Sequence, residues 1–317
     1  MGKIKVARVP DISHEQWLEL RRTGIGGSDA ATIVGLNPYS SRYALYLDKI
    51  GELPPKEDNE AMRIGRDLEA YVAQRFCEAT GKKVQRNNFM WRSEEHPFML
   101  ADIDREIVGE NACLECKTTS AYNKHDFENG QIPLAWYSQI LHYIYTMGYD
   151  HAYLSVVVLG KGYWWFRIER DDDEIAALIE QEEAFWKLVQ ERTPPAPDGS
   201  DATDAAIRAR YPADGVTDMP AELTDKSLAM LHTIEELDAQ IKELTTARKA
   251  AQAVVEEEMG ACAYGSVGEF SVSWKAQSRT AIDSKRLKKE QPEVWEQYSK
   301  TTESRVFKVK RREVDAE

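Results

Sequence analysis

The spacing of hydrophobic residues changes four times between residues 60 and 191, and this order of periods limits the folds open to the chain. Helical spacing over residues 60–80, ending at Gly81, comes first. Three strand-like segments (84–92, 97–108, 111–119), a helix (133–148), a hairpin (152–170) and a closing helix (172–191) follow. This order predicts an α/β (α+β) fold with a mixed central sheet flanked by helices.

Two short helices joined by a glycine-rich turn are predicted near the N-terminus. Ser13 and Gln16 have the spacing of a capping box, so a helix is expected to begin after Ser13 and to end near Gly24. The turn Ile25-Gly26-Gly27-Ser28-Asp29 then leads into a second helix, for which Ser28 or Asp29 is the expected N-cap.

The proline-rich segment over residues 193–204 predicts the end of a first domain. We expect this domain over residues 1–200, a linker over 201–221, a long helix over 222–262, and a small basic β-α-β extension over 263–317 with a helix at 284–300 and a closing strand at 304–312.

Apolar residues recur every seven positions along the long helix, at Leu223, Met230, Leu237, Leu244 and Ala251, with Ile234, Ile241 and Val255 in the same seam. Packing of this helix on its own domain and pairing with another chain both remain open.

The charge balance argues against indiscriminate coating of nucleic acid. The chain has 41 Lys and Arg against 54 Asp and Glu, a net charge of −13. Basic residues are concentrated over 263–314, where twelve Lys and Arg face seven Asp and Glu. These basic residues could contact DNA phosphates or form an ordinary solvated surface, and the sequence favours neither interpretation. They are Lys285, Arg286, Lys288, Lys289, Lys308, Lys310, Arg311 and Arg312.

The expected environment is the cytoplasm. Four scattered cysteines are too few for a disulfide framework, and no apolar run is long enough to span a membrane. Cys113 and Cys116 have a spacing that suggests a metal site, but residues three apart point to opposite faces of a strand and no further ligand pair completes the set. We therefore expect them to be buried. His125 and His142 have no nucleophilic partner in the sequence, and no role is assigned to them.

The strongest chemical signal is Asp104 followed by Glu115 and Lys117. Glu115 and Lys117 lie two apart in a predicted strand and share a face, and Asp104 can reach that face from the preceding strand. Two carboxylates suit Mg²⁺, and the amine can position an attacking water. An ordinary strand pair with solvated charges is the alternative, and Asp102 competes with Asp104 for the ligand role.

Two helices add polar residues to this set. Gly65 precedes Glu69 by one turn on the 60–80 helix, and Gln139 is a lone amide among aromatic residues on the 133–148 helix. The order Glu69, Asp104, Glu115, Lys117, Gln139 resembles that of the YqaJ viral recombinase family, relatives of lambda exonuclease in the PD-(D/E)xK nuclease superfamily. The N-terminal element of that family matches Trp17, Arg21 and Ser28. Taken together, the matching motifs give a resemblance over roughly residues 10–195.

The resemblance implies specific roles. Asp104, Glu115 and the backbone carbonyl of Cys116 would hold Mg²⁺, with Mn²⁺ as a substitute, and Glu69 would assist through water. Lys117 and Gln139 would complete the catalytic set, and Arg21 and Ser28 would bind a DNA 5′ phosphate, in agreement with anion binding at a glycine-rich turn before a helix. Arg21, Arg22 and Lys124 are expected to neutralise part of the negative charge of the DNA substrate. No organic cofactor is expected.

The implied activity is a double-strand DNA exonuclease of phage origin that works 5′ to 3′ and leaves 3′ single strands for recombination. A ring-like homotrimer and a single-strand annealing protein as partner are implied as well. An endonuclease of the same family and a non-catalytic DNA-binding scaffold are the alternatives. The scaffold would bind DNA without Mg²⁺-dependent digestion.

Overall fold

The computed structural model describes residues 2–55, 58–120 and 127–311, which divide into two compact units, residues 1–211 and 212–317. The helices of the first unit are α1 (His14–Arg22), α2 (Gly27–Ile33), α3 (Arg42–Lys49), α4 (Glu60–Thr80), α5 (Leu134–Met147), α6 (Asp172–Gln190) and α7 (Asp201–Arg210). Its strands are β1 (Lys3–Arg8), β2 (Ile25–Gly26), β3 (Val84–Arg86), β4 (Phe89–Ser93), β5 (Met99–Ala101), β6 (Arg105–Ile107), β7 (Ala112–Thr119), β8 (His151–Val158) and β9 (Gly162–Glu169).

The strands form two mixed sheets, and the predicted sheet with flanking helices is confirmed. One sheet has the order β3-β6-β7-β8-β9, in which β7 and β8 are parallel and the other neighbours antiparallel. The other has the order β1-β4-β5-β2, with β2 parallel to β5. Helix α5 is buried over ten consecutive residues and packs against both sheets, which agrees with its apolar sequence on all sides.

Two segments predicted as single strands each divide between the two sheets. The predicted 84–92 strand becomes β3 and β4, and the predicted 97–108 strand becomes β5 and β6. Asn87 and Asn88 lie at the first crossing, and residues 102–104 form the second. The prediction was wrong here because the apolar alternation continues through both crossings, whereas Asn and Asp disfavour continuous strands.

Of the two predicted N-terminal helix starts, the first is confirmed and the second begins at a different residue. Helix α1 has the expected capping box, in which Ser13 Oγ accepts from the Gln16 N–H and Gln16 Oε1 accepts from the Ser13 N–H. The N-cap of α2 is Gly26 rather than Ser28 or Asp29, although Asp29 still accepts from the Gly26 N–H.

The predicted linker over 201–221 begins with a helix in the structure. Ser200 caps α7, and Thr203 is buried with its hydroxyl 2.7 Å from Ser41 Oγ, so residues to Tyr211 belong to the first unit. Ser, Asp and Thr are common in linkers but also favour helix N-termini, which explains the difference.

The second unit contains the expected long helix, α8 (Asp225–Met259), followed by a hairpin of β10 (Tyr264–Val267) and β11 (Phe270–Ser273). The predicted 284–300 helix is divided into α9 (Ser284–Glu290) and α10 (Pro292–Tyr298), because Pro292 lacks an N–H and starts a new helix. No strand forms over residues 304–311, where the Val/Lys alternation finds no pairing strand; Arg312 lies outside the described residues.

Candidate active site

Glu115, Lys117 and Gln139 form a closed hydrogen-bonded triangle. Lys117 Nζ lies 2.7 Å from Glu115 Oε1 and donates to Gln139 Oε1 at 2.9 Å, while Gln139 Nε2 donates to Glu115 Oε1 at 2.8 Å. The two residues of β7 therefore share a face, as their spacing predicted, and α5 brings Gln139 onto that face.

Glu115 and Gln139 are buried, whereas Lys117 remains partly exposed, and the triangle carries charge. Burial alone would lower the pKa of the Lys117 ammonium, but the Glu115 and Asp104 carboxylates raise it above its ordinary value. Lys117 therefore remains protonated at neutral pH, with its ammonium held between Glu115 and Gln139.

Asp104 lies against the backbone of the same strand. Its Oδ2 accepts from the Cys116 N–H at 2.8 Å. Burial, followed by the negative charge of Glu115, raises the pKa of Asp104 well above its ordinary value. Asp102, two residues earlier, accepts instead from the Trp17 indole N–H at 2.8 Å. The structure thus places Asp104 rather than Asp102 beside the Glu115 strand.

Glu69 lies next to this cluster but is paired elsewhere. Arg105 Nη1 donates to Glu69 Oε1 at 2.5 Å and to the Asp104 carbonyl at 2.7 Å, and Arg86 lies 3.4 Å from the same carboxylate oxygen. Arg105 was not singled out from the sequence, since its only signal is its position beside Asp104. The negative charge of Glu69 also helps to raise the pKa of Asp104, after burial and the charge of Glu115.

The donor set suits a hard divalent cation. Among the described residues no three His, Cys, Asp or Glu side chains form a ready-made metal cluster. The buried Glu115 and the partly buried Asp104, whose carboxylates repel each other, are nevertheless a favourable pair for Mg²⁺, which commonly takes one or two carboxylates and completes its shell with water and phosphate. The residues present therefore fit the metal predicted from the sequence.

The N-terminal element places Arg21 beside Ser28. Arg21 Nη2 donates to Ser28 Oγ and to Asp29 Oδ1, both at 2.9 Å. Lys49 on α3 donates to Asp29 Oδ2 at 2.7 Å. Sequence reasoning considered Asp29 only as a helix cap and missed Lys49, which lies in a segment where no element was expected.

This element also contacts the helix that carries Gln139. A Cβ atom on Gly27 would lie 2.5 Å from the Tyr143 ring and 3.1 Å from Gln139 Cγ, so only glycine permits this approach. Tyr143 OH in turn accepts from Gln139 Nε2 at 3.3 Å. The structure therefore brings the Arg21 element and the Glu115 triangle together through α5.

The cysteines and the remaining candidates fit a structural interpretation. Cys113 belongs to the core on the α5 side and Cys116 packs against the core on the α4 side, so they face opposite ways. Cys113 is buried as expected, whereas Cys116 is only partly buried. His142 is fully buried between Glu182 and the Leu100 carbonyl. Arg22 lies 3.5 Å from Asp48, whereas Lys124 and His125 lie outside the described residues.

Among the helices that the structure describes, none combines the length and the apolar composition needed to cross a membrane.

Comparison with known proteins identifies related chains. The profile of the YqaJ-like viral recombinase domain matches residues 16–150. The chain is 38% identical over 309 residues to the uncharacterized protein YqaJ of Bacillus subtilis (strain 168), covering 96% of this chain and 97% of that protein.

Among solved structures, the alkaline exonuclease LHK-Exo of Laribacter hongkongensis is 20% identical with a TM-score of 0.49, over 56% of this chain and 94% of that one. A phage-related exonuclease from Haemophilus somnus 129PT is 15% identical with a TM-score of 0.46, over 56% and 97% of the two chains. Because identity to the Bacillus protein extends over nearly the whole of both sequences, the chain belongs to the YqaJ-like viral recombinase family.

Proposed function

We propose that this chain is a Mg²⁺-dependent deoxyribonuclease that digests duplex DNA from its ends in the 5′ to 3′ direction and leaves 3′ single strands for recombination. The observation that supports this most strongly is the convergence of Asp104, Glu115, Lys117 and Gln139 at one point of β7. Membership of a viral recombinase family supports DNA as the substrate.

Asp104, Glu115 and the backbone carbonyl of Cys116 would hold Mg²⁺, or Mn²⁺ in its place, and Glu69 would act through water. The bound ion would supply positive charge at the scissile phosphate. Because Glu69 is already paired with Arg105, its contribution is expected to be smaller than that of Asp104 and Glu115.

Lys117 would orient the water that attacks phosphorus. Its ammonium is held by two acceptors, Glu115 and Gln139, so its remaining N–H points in a defined direction. Gln139 acts as a positioning residue, because its amide bonds both ends of the Glu115/Lys117 pair. Fixing these donors before substrate arrives removes reorganisation from the reaction itself.

Arg21 and Ser28 would bind the 5′ phosphate of a duplex end. The proposal predicts that wild type digests 5′-phosphorylated ends faster than 5′-hydroxyl ends and that Arg21→Ala loses this difference. An unchanged ratio of the two rates in Arg21→Ala would remove Arg21 from the phosphate site.

A linear duplex labelled at its 5′ or its 3′ ends, incubated with and without Mg²⁺, tests the activity. We expect Mg²⁺-dependent release of the 5′ label first, and its loss in Glu115→Ala and Lys117→Ala. Cutting of covalently closed circular duplex would indicate the endonuclease alternative. DNA binding without any Mg²⁺-dependent digestion would indicate the scaffold.

The proposal extends to partners. A homotrimer and a single-strand annealing protein are what the family resemblance implies for this chain, and the cytoplasm of a bacterial host is where its duplex substrate would be met. Sedimentation of the purified chain and co-purification with the annealing protein test these two associations.

A further inference from the structure

The guanidinium of Arg21 is held by groups on several sides. The Trp17 ring centre lies 5.2 Å from Arg21 Cζ, and a Cβ atom on Gly26 would lie 3.0 Å from Cζ and from both terminal nitrogens. Nη2 donates to Ser28 and Asp29, and the side chain of Arg21 remains 18% exposed. Arg21 is therefore fixed in one orientation while part of it still reaches solvent.

Both oxygens of Asp29 are occupied. Oδ1 accepts from Arg21, and Oδ2 accepts from Lys49 Nζ at 2.7 Å and from the Gly26 N–H at 2.9 Å. Burial would raise the pKa of Asp29, but Lys49 and Arg21 together hold it well below its ordinary value. The carboxylate is therefore charged, and it cancels one of the two cations beside it.

The side chain of Lys49 is only 1% exposed, so it cannot touch a ligand from solvent. Besides Asp29, its ammonium donates to the Arg21 carbonyl at 2.9 Å. Without Lys49, Arg21 and Asp29 would form a neutral pair, which has little attraction for an anion. With Lys49, the three side chains of Arg21, Asp29 and Lys49 together carry one net positive charge in a weakly screened environment. Asp102 and Asp48 also act electrostatically on Arg21, but their charges are the same in every variant compared below.

We infer that Lys49 sets the positive charge of the Arg21/Ser28 phosphate site and that Asp29 is the residue that positions Arg21 within it. The inference rests on the 5′-phosphate role proposed above and adds two positioning residues to it. Neither residue touches the phosphate. Asp29 fixes the guanidinium, and Lys49 offsets the negative charge that this fixing introduces.

The test compares initial digestion rates on duplexes that differ only in a 5′ phosphate or a 5′ hydroxyl, so each protein supplies its own reference. In Lys49→Met the ratio of the two rates should fall by about tenfold or more, because the site becomes neutral. The salt dependence of binding to the phosphorylated duplex should also weaken, by about one in the slope of log affinity against log salt.

A double variant separates charge from structure. Asp29→Asn/Lys49→Met removes one charge of each sign, so the site regains its net positive charge and the ratio should return to within about threefold of wild type. A purely structural role for Lys49 predicts that the double variant is no better than Lys49→Met, and that result would overturn the inference. Lys82→Met, which removes a partly exposed lysine paired with Glu110, is the matched control and should keep the wild-type ratio.

If circular dichroism shows that Lys49→Met does not fold, Asp29→Asn alone tests whether the charge of the site sets the preference. The amide oxygen can still accept from Arg21 Nη2, so the guanidinium stays positioned while one negative charge beside it is removed. The preference for 5′-phosphorylated ends should therefore be kept or increased; its loss would contradict the inference. If wild type digests DNA with no preference for phosphorylated ends, the proposed phosphate site itself is wrong. If wild type has the preference and Lys49→Met keeps it, only the present inference fails.

Discussion

Asp102 and Asp104 show how one crossing between sheets gives two neighbouring carboxylates different surroundings. Asp104 bonds the backbone of β7 beside Glu115, whereas Asp102 bonds the Trp17 indole. We expect Asp104→Asn to reduce the digestion rate by at least about 100-fold and Asp102→Asn to reduce it far less. Steady-state digestion of linear duplex measures both. A larger loss in Asp102→Asn would exchange their assignments.

Strand periodicity alone places Glu115 and Lys117 of the triangle on one face. Gln139 was added because it is a lone amide among aromatic residues and because the family resemblance includes it. The sequence did not predict Lys49, whose contact with Asp29 joins residues twenty positions apart on different helices. A buried lysine carries no local pattern, since its partner is determined by how α2 and α3 pack. Arg105 was missed for the same reason.

Helix α5 owes part of its position to a buried ion pair. His142 Nδ1 lies 2.8 Å from Glu182 Oε1 on α6, and its Nε2 lies 2.9 Å from the Leu100 carbonyl on β5. Both side chains of the pair are fully buried. This pair ties α5, α6 and β5 together close to the segment that carries Asp104.

The pair predicts a pH-dependent stability. Burial would lower the pKa of His142, but Glu182 and the Leu100 carbonyl raise it above its ordinary value of about 6.5. A raised folded-state pKa means that the stabilisation is complete below about pH 6.5 and is lost as the pH rises through the folded-state value. Urea unfolding of wild type from pH 5.5 to 9 should therefore show decreasing stability relative to His142→Leu/Glu182→Met, in which neither position titrates.

The single variant His142→Leu provides the control for that measurement. It leaves Glu182 buried without its partner, which should cost about 3 kcal/mol or more in the free energy of unfolding, whereas the double variant should lose less. A constant difference between wild type and the double variant across this pH range would show that His142 is not charged in the folded protein.

At the level of elements, long periodic segments were predicted well and interruptions were not. Helices α4, α5 and α6 and the β8/β9 hairpin lie where their spacing placed them. The prediction of a closing strand was wrong over the described residues 304–311, because alternating apolar and charged residues form a strand only where a partner strand is available. Strand β1 was missed as well, since its pairing with β4 is a tertiary contact.

At the level of the whole molecule, the long helix α8 raises the question of assembly. None of its residues is buried, and Met230, Leu237, Ile241 and Leu244 are each about half exposed or more. Their heptad spacing is typical of a coiled-coil seam. We expect the chain to self-associate through this seam, which would provide a contact for the homo-oligomer that the family resemblance implies.

Sedimentation equilibrium of a variant tests this expectation. Leu237→Glu/Leu244→Glu places two charges in the seam and should weaken self-association by at least about 100-fold. Ala239→Glu/Thr246→Glu adds the same charges to the opposite face of α8 and should associate like wild type. If Leu237→Glu/Leu244→Glu also associates like wild type, α8 is excluded as the contact.

The most direct test of the account is Mn²⁺ binding measured by electron paramagnetic resonance, because the site is assigned on its ability to hold a divalent ion. Wild type should bind Mn²⁺, and Mg²⁺ should displace it. Asp104→Asn and Glu115→Gln should each weaken binding by at least about tenfold, while Glu169→Gln, an exposed carboxylate on β9, should bind like wild type. Equal Mn²⁺ affinity in all four proteins would contradict the proposed active site.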